Sequence, residues 1–312
     1  MPQLWRKGPP PTRHAMFRPK MPQVRHNDDA GIAFMIICIA SGKGGTGKTT
    51  VATNLARSLN REVQLLDCDV EAPNAHLFMK PEFDHTEKIT TPVPQVDLER
   101  CDFCGECGEI CQFSAITVIG QKVLTFPELC HSCRGCLMVC PREAISEKGR
   151  ELGLLEKGWS GPVEFIHGRL RIGEAMSPPL IDAVKGYIDP EKTTIIDAPP
   201  GTSCPVIVAL KGSDFALLVT EPTPFGLNDL KLAVGAVRIL EIPLGIIINR
   251  SDVGDDRVAT YAKEEGIPIL MEIPNDRKIA EAYSRGIMLV DVDPTMKARF
   301  QAVHKKIGEL IQ

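Results

Sequence analysis

The sequence contains no hydrophobic run long enough to cross a membrane and no leader of the secretory type. The longest apolar stretches, such as residues 242–248, fall far short of the roughly 20 residues that a transmembrane helix needs. The chain does not open on a charged segment followed by an apolar one, as a signal peptide would. We therefore expect a cytoplasmic protein that does not span a membrane.

The sequence also lacks a strong charge of either sign. Its 36 Lys and Arg residues against 40 Asp and Glu leave a formal net charge of −4. Binding to DNA or RNA depends on clustered Lys and Arg, so this balance predicts no nucleic-acid partner. Hydrophobic residues at 43% and charged residues at 24% are typical of a soluble globular protein, and 312 residues can bury one large core or two modest ones.

The first 34 residues differ from the rest of the chain. They hold six prolines, and six Lys or Arg against two Asp, with no apolar period. This composition predicts a disordered, basic, proline-rich extension over residues 1–34. Because Met35 directly precedes the first predicted strand, the extension can also be interpreted as the result of a start codon placed too far upstream.

From Met35 onward, short β-rich apolar runs alternate with helical segments. This alternation is typical of an α/β fold with a mostly parallel sheet and covering helices. The predicted strands are 36–40, 63–66, 163–166, 194–196, 216–220, 244–248 and 269–272. The predicted helices are 48–59, 178–187, 205–211, 227–240, 256–265, 278–285 and 295–311.

Eight of the eleven cysteines interrupt this alternation, in a segment between residues 101 and 140. Two runs of the form C-x2-C-x2-C-x3-C follow each other at an offset of 29 residues, and Ala115 and Ile116 recur at the same offset as Ala144 and Ile145. In a reducing compartment, clustered cysteines indicate metal ligation rather than disulfides. An internal repeat of this size predicts a duplicated small unit.

The cysteine spacing is that of bacterial ferredoxins, in which the fourth cysteine of each run ligates the cluster of the other half. It predicts two 4Fe-4S clusters with crossed ligands. The ligands of the first cluster are Cys101, Cys104, Cys107 and Cys140, and those of the second are Cys130, Cys133, Cys136 and Cys111. A pair of zinc sites is the alternative, although zinc ribbons pair two CxxC units at longer separation and do not need four cysteines per run.

The cysteine segment resembles two-cluster ferredoxins over about 50 residues, including CPREAI from Cys140. It departs from that pattern at Gln112, which stands where the second run has Pro141. The resemblance implies one-electron transfer at low potential.

Residues 42–49, GKGGTGKT, match the nucleotide-binding pattern G-x4-G-K-[ST], after a predicted strand and at the start of a helix. In such a loop the backbone N–H groups close around phosphates, the lysine (Lys48) reaches the β- and γ-phosphates, and Thr49 can hold Mg2+. A glycine-rich turn without a ligand is the alternative. The residues predicted to bind ATP here are Gly42, Gly44, Gly45, Thr46, Gly47, Lys48, Thr49 and Thr50.

A second lysine, Lys43, directly follows the first glycine of this loop. The resulting KGGxGKT form resembles the deviant Walker A motif of the MinD/ParA/Mrp ATPases and of the nitrogenase iron protein. In that family the early lysine reaches the nucleotide of a partner subunit. The resemblance therefore implies catalytic roles for Lys43 and Lys48 and a homodimer with ATP at its interface, and a solvated loop lysine is the alternative for Lys43.

Two acidic segments resemble the switches of the same family. LLDCDVEAPN, residues 65–74, carries Asp67 and Asp69 and resembles the first switch, in which a carboxylate positions the attacking water or Mg2+. TTIIDAPPGT, residues 193–202, resembles the second switch, which implies that Asp197 binds Mg2+ through water and senses the γ-phosphate. The alternative for these aspartates is a helix cap, above all for Asp67.

Two later segments complete the resemblance. IIINR places Asn249 and Arg250 after a strand, as in the adenine-recognition motif of the family, and residues 273–286 resemble the loop that closes over the base. The whole resemblance covers residues 35–312. It implies a P-loop ATPase domain over 35–91 and 149–312, with an inserted ferredoxin domain over 92–148, and the cofactors ATP, Mg2+ and two 4Fe-4S clusters.

Three other cysteines and the last helix carry weaker signals. Cys204 follows Asp197 by seven residues, the offset of a cluster ligand in the nitrogenase iron protein, but we predict a partly buried thiol there, as for the core thiols Cys38 and Cys68. The apolar stripe of the last helix predicts core packing, with a MinD-like membrane-binding helix as the alternative. The stripe consists of Met296, Phe300, Val303, Ile307 and Leu310.

Three functions are compatible with these motifs. The first is an ATPase that couples nucleotide-driven changes of a dimer to electron transfer towards an unidentified redox partner. The second is an ATP-dependent assembly factor for iron–sulfur or other metal clusters, acting on a metalloprotein. The third is a positioning ATPase like MinD or ParA, which the eight ferredoxin-type cysteines disfavour because a purely structural insert needs no electron carriers. The sequence lacks the carboxy-terminal CxxC that Mrp-type scaffolds use for a bridging cluster, so we place electron transfer first.

Overall fold

The computed structural model describes residues 34–59 and 62–312, so the predicted extension lies, except for Phe34, outside the described residues. The strands are β1 Ile36–Ala40, β2 Val63–Asp67, β3 Glu82–Val96, β4 Ile116–Ile119, β5 Lys122–Thr125, β6 Ile145–Ser160, β7 Val163–Leu170, β8 Thr193–Asp197, β9 Phe215–Thr220, β10 Leu244–Asn249 and β11 Ile269–Ile273. The helices are α1 Lys48–Ser58, α2 His76–Met79, α3 Glu106–Ile110, α4 Gly135–Val139, α5 Pro178–Lys185, α6 Cys204–Leu210, α7 Pro224–Ile239, α8 Arg257–Glu264, α9 Arg277–Ser284, α10 Leu289–Val292 and α11 Pro294–Leu310.

Nine strands form one sheet in the order β11-β10-β9-β1-β8-β2-β7-β6-β3. The first seven strands in that order are mutually parallel, and β6 and β3 add an antiparallel edge. The predicted α/β fold with a mostly parallel sheet is confirmed, and every predicted strand and helix is present with shifts of a few residues at its ends.

The parallel strands are buried on both faces because helices cover the sheet on both sides. In β1, Ile37 and Ile39 face one apolar core together with side chains of α1 and α11, while Cys38 faces a second core built with α5 to α8. This double burial explains why the strands read as continuous apolar runs rather than as alternating ones.

The last helix packs against the first core. Four residues of its apolar stripe, Met296, Phe300, Val303 and Ile307, are buried there, which confirms the predicted core packing, whereas Leu310 is 39% exposed. In the described part of the chain no helix is both long and apolar enough to cross a membrane.

A long antiparallel ribbon, which we call the arm, consists of β3 and β6 and was not predicted. Glu82 lies opposite Trp159 at its base, and Val96 lies opposite Ile145 at its far end. Only residues 153–160 of β6 also pair with β7, so the outer part of the arm extends beyond the sheet by roughly 25 Å at 3.3 Å per residue. The predicted domain boundaries at residues 92 and 148 fall within these two strands.

Residues 97–144 lie beyond the outer end of the arm. Their backbone conformation repeats at the same offset as their cysteines. Helices α3 and α4 are related by the offset of 29 residues, and three pairs of positive-φ residues obey the same offset. These pairs are Phe103 and Ser132, Gly105 and Arg134, and Ser114 and Glu143. The short hairpin of β4 and β5 forms a separate two-stranded sheet.

Candidate functional site

The carboxyl ends of β1, β2, β8 and β10 bring the predicted nucleotide residues to one edge of the parallel sheet, where ligands of α/β proteins bind. A cavity of about 420 Å³ opens at this edge, and it is also lined by residues of the 273–283 segment, including Tyr283. The predicted site residues that line the cavity are Gly44, Gly45, Gly47, Lys48, Thr49, Thr50, Asp69, Asn249 and Arg250. Those that do not are Gly42, Lys43, Thr46 and Asp197.

The glycine-rich loop places the start of α1 at the cavity. Gly47 adopts φ 98° directly before Lys48, the first residue of the helix, and a Cβ on Gly47 would lie 2.5 Å from the amide nitrogen of Asn249. A Cβ on Gly42 would overlap the carbonyl of Asp229. Within the described residues no side chain caps the start of α1. Its N–H groups and positive dipole end are therefore available to an anion such as a phosphate.

Asp197 and Lys48 form a buried charged centre beneath the loop. Asp197 is fully buried, and neither of its carboxylate oxygens has a hydrogen-bond partner among the described residues. Burial raises the pKa of Asp197 to about 7, although Thr49 and Lys48 act in the opposite direction. Burial likewise lowers the pKa of Lys48, against the attraction of the nearby aspartates.

This unsatisfied carboxylate fits the donor chemistry of Mg2+, which prefers oxygen ligands and keeps several waters. The Oγ1 atom of Thr46 is also buried without a partner in the described part of the chain. Asp197, with the hydroxyl of Thr49 beside it, would hold the ion, and the ion would neutralise charge on the phosphates. Asp69 lines the cavity. Burial raises the pKa of Asp69, and the nearby Lys48 offsets only part of this rise.

Asp67 has a structural role that differs from that of Asp69. It is fully buried, and its Oδ2 accepts hydrogen bonds from the backbone N–H groups of Asn74 at 3.1 Å and Ala75 at 3.0 Å, while its Oδ1 accepts one from Asp69 at 3.1 Å. Asp67 thus fixes the segment over 69–75 through its backbone. Burial and the nearby Asp197 raise the pKa of Asp67 well above its usual range.

Asn249 and Lys43 make contacts within the chain. The amide nitrogen of Asn249 donates to the carbonyl of Thr46 at 2.8 Å, which ties the end of β10 to the phosphate loop. Lys43 does not line the cavity, and its ammonium lies 3.3 Å from Oε2 of Glu221, the residue directly after β9. Arg250 donates to the other oxygen of the same carboxylate at 2.7 Å.

The eight clustered cysteines line two separate cavities beyond the arm. The first of these cavities is lined by Cys111, Cys130, Cys133 and Cys136. The second is lined by Cys101, Cys104, Cys107 and Cys140. The structure thus brings together the two crossed sets of the sequence analysis. In the described part of the chain, no three His, Cys, Asp or Glu side chains converge closely enough to hold one metal ion.

Backbone N–H groups point at several of these sulfurs. Ala115 donates to Sγ of Cys111 at 3.2 Å, and its repeat equivalent Ala144 donates to Sγ of Cys140 at 3.3 Å. At Cys111 burial acts to raise the pKa, but the surrounding amide groups outweigh it and the pKa is lowered. Donors arranged in this way stabilise a thiolate, the form of cysteine that ligates metals. Burial raises the pKa of Cys136 to about 11, so that thiol stays protonated when no metal is bound.

The remaining cysteines divide into two groups. Cys38 and Cys68 are fully buried, which confirms the prediction of core thiols, and burial raises the pKa of Cys38 to about 12. The prediction that Cys204 is partly buried was wrong: it is exposed, because it is the first residue of α6 and lies outside the core that the helix covers.

Sequence reasoning missed Glu221 and a histidine pair at the base of the arm. Glu221 follows the predicted strand 216–220, so the pattern that identified Asp197, an acidic residue at the end of a parallel strand, could have found it. The rings of His76 and His167 lie 5.4 Å apart, edge to face, and Nε2 of His167 contacts Glu156 of β6 at 3.0 Å. No local motif marks this pair, because only the pairing of β6 with β7 brings Glu156 to His167.

The sequence is similar to known nucleotide-binding proteins. Residues 37–290 match the family model of the CobQ/CobB/MinD/ParA nucleotide binding domain. An uncharacterized protein of Methanocaldococcus jannaschii is 31% identical over 285 residues, which cover 89% of this chain and 98% of the relative. An iron-sulfur cluster carrier protein of the same organism is 27% identical over 317 residues, which cover 96% of this chain and 89% of the relative.

A solved structure matches the fold. The septum site-determining protein MinD from Pyrococcus horikoshii, complexed with Mg-ADP, aligns with a TM-score of 0.53 at 22% identity. The alignment covers 88% of this chain and 96% of that chain. At this level of identity the match concerns the fold alone.

Proposed function

The chain belongs to the CobQ/CobB/MinD/ParA family of nucleotide-binding proteins, and we propose on this premise that its ATPase activity controls electron transfer through two 4Fe-4S clusters. The P-loop ATPase identity follows from the family. The electron-transfer role is our proposal, and it is supported mainly by the two cysteine-lined cavities at the end of the arm.

The nucleotide edge supplies the groups that hydrolysis of a phosphoanhydride requires. The start of α1 and the ammonium of Lys48 would bind the β- and γ-phosphates, and Asp197 would hold Mg2+ through water. Asp69 faces the cavity and would orient the attacking water. Lys43 lies outside the cavity and would reach the nucleotide of a second copy, so the proposed working unit is a homodimer with ATP at its interface.

The cysteine segment supplies the ligands of the electron carrier. Each cavity is lined by three cysteines of one run and the fourth cysteine of the other, as two-cluster ferredoxins require. Four thiols around a cavity suit a cubane, which is larger than a single ion. When bound, the clusters would supply one-electron transfer at low potential. We accordingly propose residues 92–148 as an inserted ferredoxin domain.

A short series of contacts connects the nucleotide edge to the arm. Asp67 holds the segment that carries Asp69, and this segment leads directly into α2. His76 of α2 contacts His167, which in turn contacts Glu156 of the arm, and the hydroxyl of Ser160 donates to the carbonyl of Met79 at the end of α2. Movement of the first switch on ATP binding would therefore move the base of the arm.

The proposal is tested by metal and sulfide analysis of protein purified without oxygen. We expect about eight iron atoms per chain and an equal amount of acid-labile sulfide, since each of the two clusters holds four. Reduction with dithionite should produce an EPR signal that exposure to air destroys. About two zinc ions per chain without sulfide would overturn the cluster assignment and with it the electron-transfer role.

Cluster assembly is the second candidate, and the printed name of one relative, iron-sulfur cluster carrier protein, favours it. The two functions differ in whether the clusters leave the protein. Incubation of the loaded protein with an apo-ferredoxin and ATP separates them. If this protein is an electron carrier, its iron content stays constant, whereas a carrier of clusters loses iron to the acceptor in an ATP-dependent reaction.

A further inference from the structure

Glu221 lies between two cations, one from the phosphate loop and one from the end of β10. Its Oε2 lies 3.3 Å from the ammonium of Lys43 in the phosphate loop, and its Oε1 accepts a hydrogen bond of 2.7 Å from Arg250 at the end of β10. The carboxylate follows β9 directly, so its backbone is fixed by the centre of the parallel sheet. The carboxylate of Glu221 therefore determines where the ammonium of Lys43 lies in the monomer.

Burial makes this contact stronger than an ordinary surface ion pair. The side chain of Glu221 is 11% exposed and that of Lys43 is 31% exposed, whereas fully exposed pairs contribute little to stability. Removing every cation from a buried carboxylate is costly, because the charge then lacks both water and a partner. Arg250 avoids this cost, since it stays hydrogen-bonded to Glu221 when Lys43 leaves.

We infer that Glu221 is a positioning residue that holds Lys43 on its own chain and thereby opposes ATP-dependent docking of a second copy. The inference rests on the proposed role of Lys43 at the nucleotide of the partner. Docking must exchange the contact with Glu221 for a contact with phosphate. Arg250 makes the exchange possible because it neutralises Glu221 throughout. The contact of Glu221 with Lys43 thus opposes dimer formation when no nucleotide is bound, and the contact with Arg250 allows Lys43 to leave when nucleotide is present.

The test compares the dimerisation of Glu221→Gln with that of the unchanged chain by sedimentation velocity, with Mg2+ and a non-hydrolysable ATP analogue. Because glutamine cannot retain the ammonium, we expect the dimer dissociation constant to fall roughly three- to tenfold. Binding of ATP to the monomer should not change. Glu264→Gln, which makes the same charge change at an exposed residue of α8, should leave dimerisation unchanged.

A double variant separates restraint from a general structural effect. In the background of Lys43→Ala, Glu221→Gln should no longer strengthen dimerisation, because the group that it releases is absent. If Glu221→Gln weakens dimerisation or leaves it unchanged while Lys43→Ala abolishes it, the inference is wrong and the dimer role of Lys43 stands. If Lys43→Ala alone changes neither dimerisation nor hydrolysis, the proposed role of Lys43 is wrong and the inference falls with it.

A milder variant keeps the test decisive if Glu221→Gln does not fold. Glu221→Asp retains the negative charge but withdraws it by one methylene, so it should still bind Arg250 and should lower the dimer dissociation constant by a smaller factor. A higher dissociation constant in Glu221→Asp would contradict the inference.

Discussion

At the scale of single residues, the fold buries two carboxylates at the edge of the sheet where the nucleotide site lies. Asp67 and Asp197 are register neighbours on β2 and β8, and both are fully buried. Asp67 is compensated by three backbone N–H groups, whereas Asp197 has no hydrogen-bond partner among the described residues. Such an arrangement lowers stability in the absence of ligand and is typical of a site that ligand binding completes.

The first prediction concerns the stability of Asp197→Asn. Burial raises the pKa of Asp197 to about 7, so the unfolded chain loses this proton at a lower pH than the folded chain does. The cost of the residue therefore grows as the pH rises from about 4 to about 7 and is complete above that. The neutral amide of the variant would remove this cost. We expect Asp197→Asn to raise the free energy of unfolding by on the order of 2 kcal/mol at pH 8 and by less at pH 5.

Anaerobic urea unfolding followed by circular dichroism measures this difference, and Mg2+-dependent ATP hydrolysis should be lost in the same variant. An Asp197→Asn protein that is less stable than the unchanged chain at pH 8 would contradict our account of this carboxylate.

The second prediction separates the two lysines of the phosphate loop. Lys48→Ala should weaken ATP binding, because Lys48 lines the cavity. Lys43→Ala should abolish hydrolysis but largely preserve nucleotide binding to the monomer, because Lys43 lies outside the cavity and contacts Glu221. Steady-state turnover and equilibrium binding of a fluorescent ATP analogue measure the two effects. Equal loss of binding and hydrolysis in Lys43→Ala would count against its role at the partner's nucleotide.

Most of the residues that the nucleotide-site motifs single out line one cavity, because the chemistry of these motifs is local. The spacing of Gly47, Lys48 and Thr49 encodes a loop conformation and a helix start in consecutive residues. The contact of Asn249 with the loop could not be predicted in the same way, because about 200 residues separate Asn249 from Thr46 and only the strand order makes them neighbours.

At the scale of elements, the arm is the feature that sequence patterns did not predict. β3, EFDHTEKITTPVPQV, has no apolar alternation and carries Pro92 and Pro94, which favour an edge strand. β6 is charged over its outer half, where it pairs only with β3. A two-stranded ribbon in solvent buries few side chains, so it needs no apolar face. Its sequence therefore shows no hydrophobic period. β1 was predictable for the opposite reason, since all five of its residues are buried.

The third prediction tests the crossed ligation at the end of the arm. Cys111→Ser and Cys133→Ser should each reduce iron from about eight to about four atoms per chain, because the crossed assignment places both residues at the same cluster. The double variant should also retain about four. Combining Cys111→Ser with Cys104→Ser should instead remove nearly all iron, since these residues serve different clusters.

Iron analysis and EPR of the anaerobic variants measure the pattern. The assignment would be overturned if Cys111→Ser were additive with Cys133→Ser but not with Cys104→Ser, because ligation would then follow each run rather than cross between runs.

At the scale of the whole molecule, the fold places ATP chemistry at one edge of the sheet and the cysteine segment at the end of the arm. The ATPase fold could be predicted because strands buried on both faces and ordered motifs extend along most of the chain. The position of the cysteine segment could not, because it depends on the length and direction of the arm. The chain joins the two through α2 and the base of the arm, which gives the proposed ATP-driven changes a covalent and a packed route to the cysteine segment.

The central claim is that ATP changes what the clusters do, and an EPR-monitored redox titration with and without MgATP tests it most directly. We predict that saturating MgATP shifts the midpoint potential of at least one cluster. The shift is about 59 mV for each tenfold difference in MgATP affinity between the oxidised and the reduced protein. Lys48→Ala should show no shift at the same MgATP concentration. Identical potentials and spectra with and without MgATP in the unchanged protein would contradict the account.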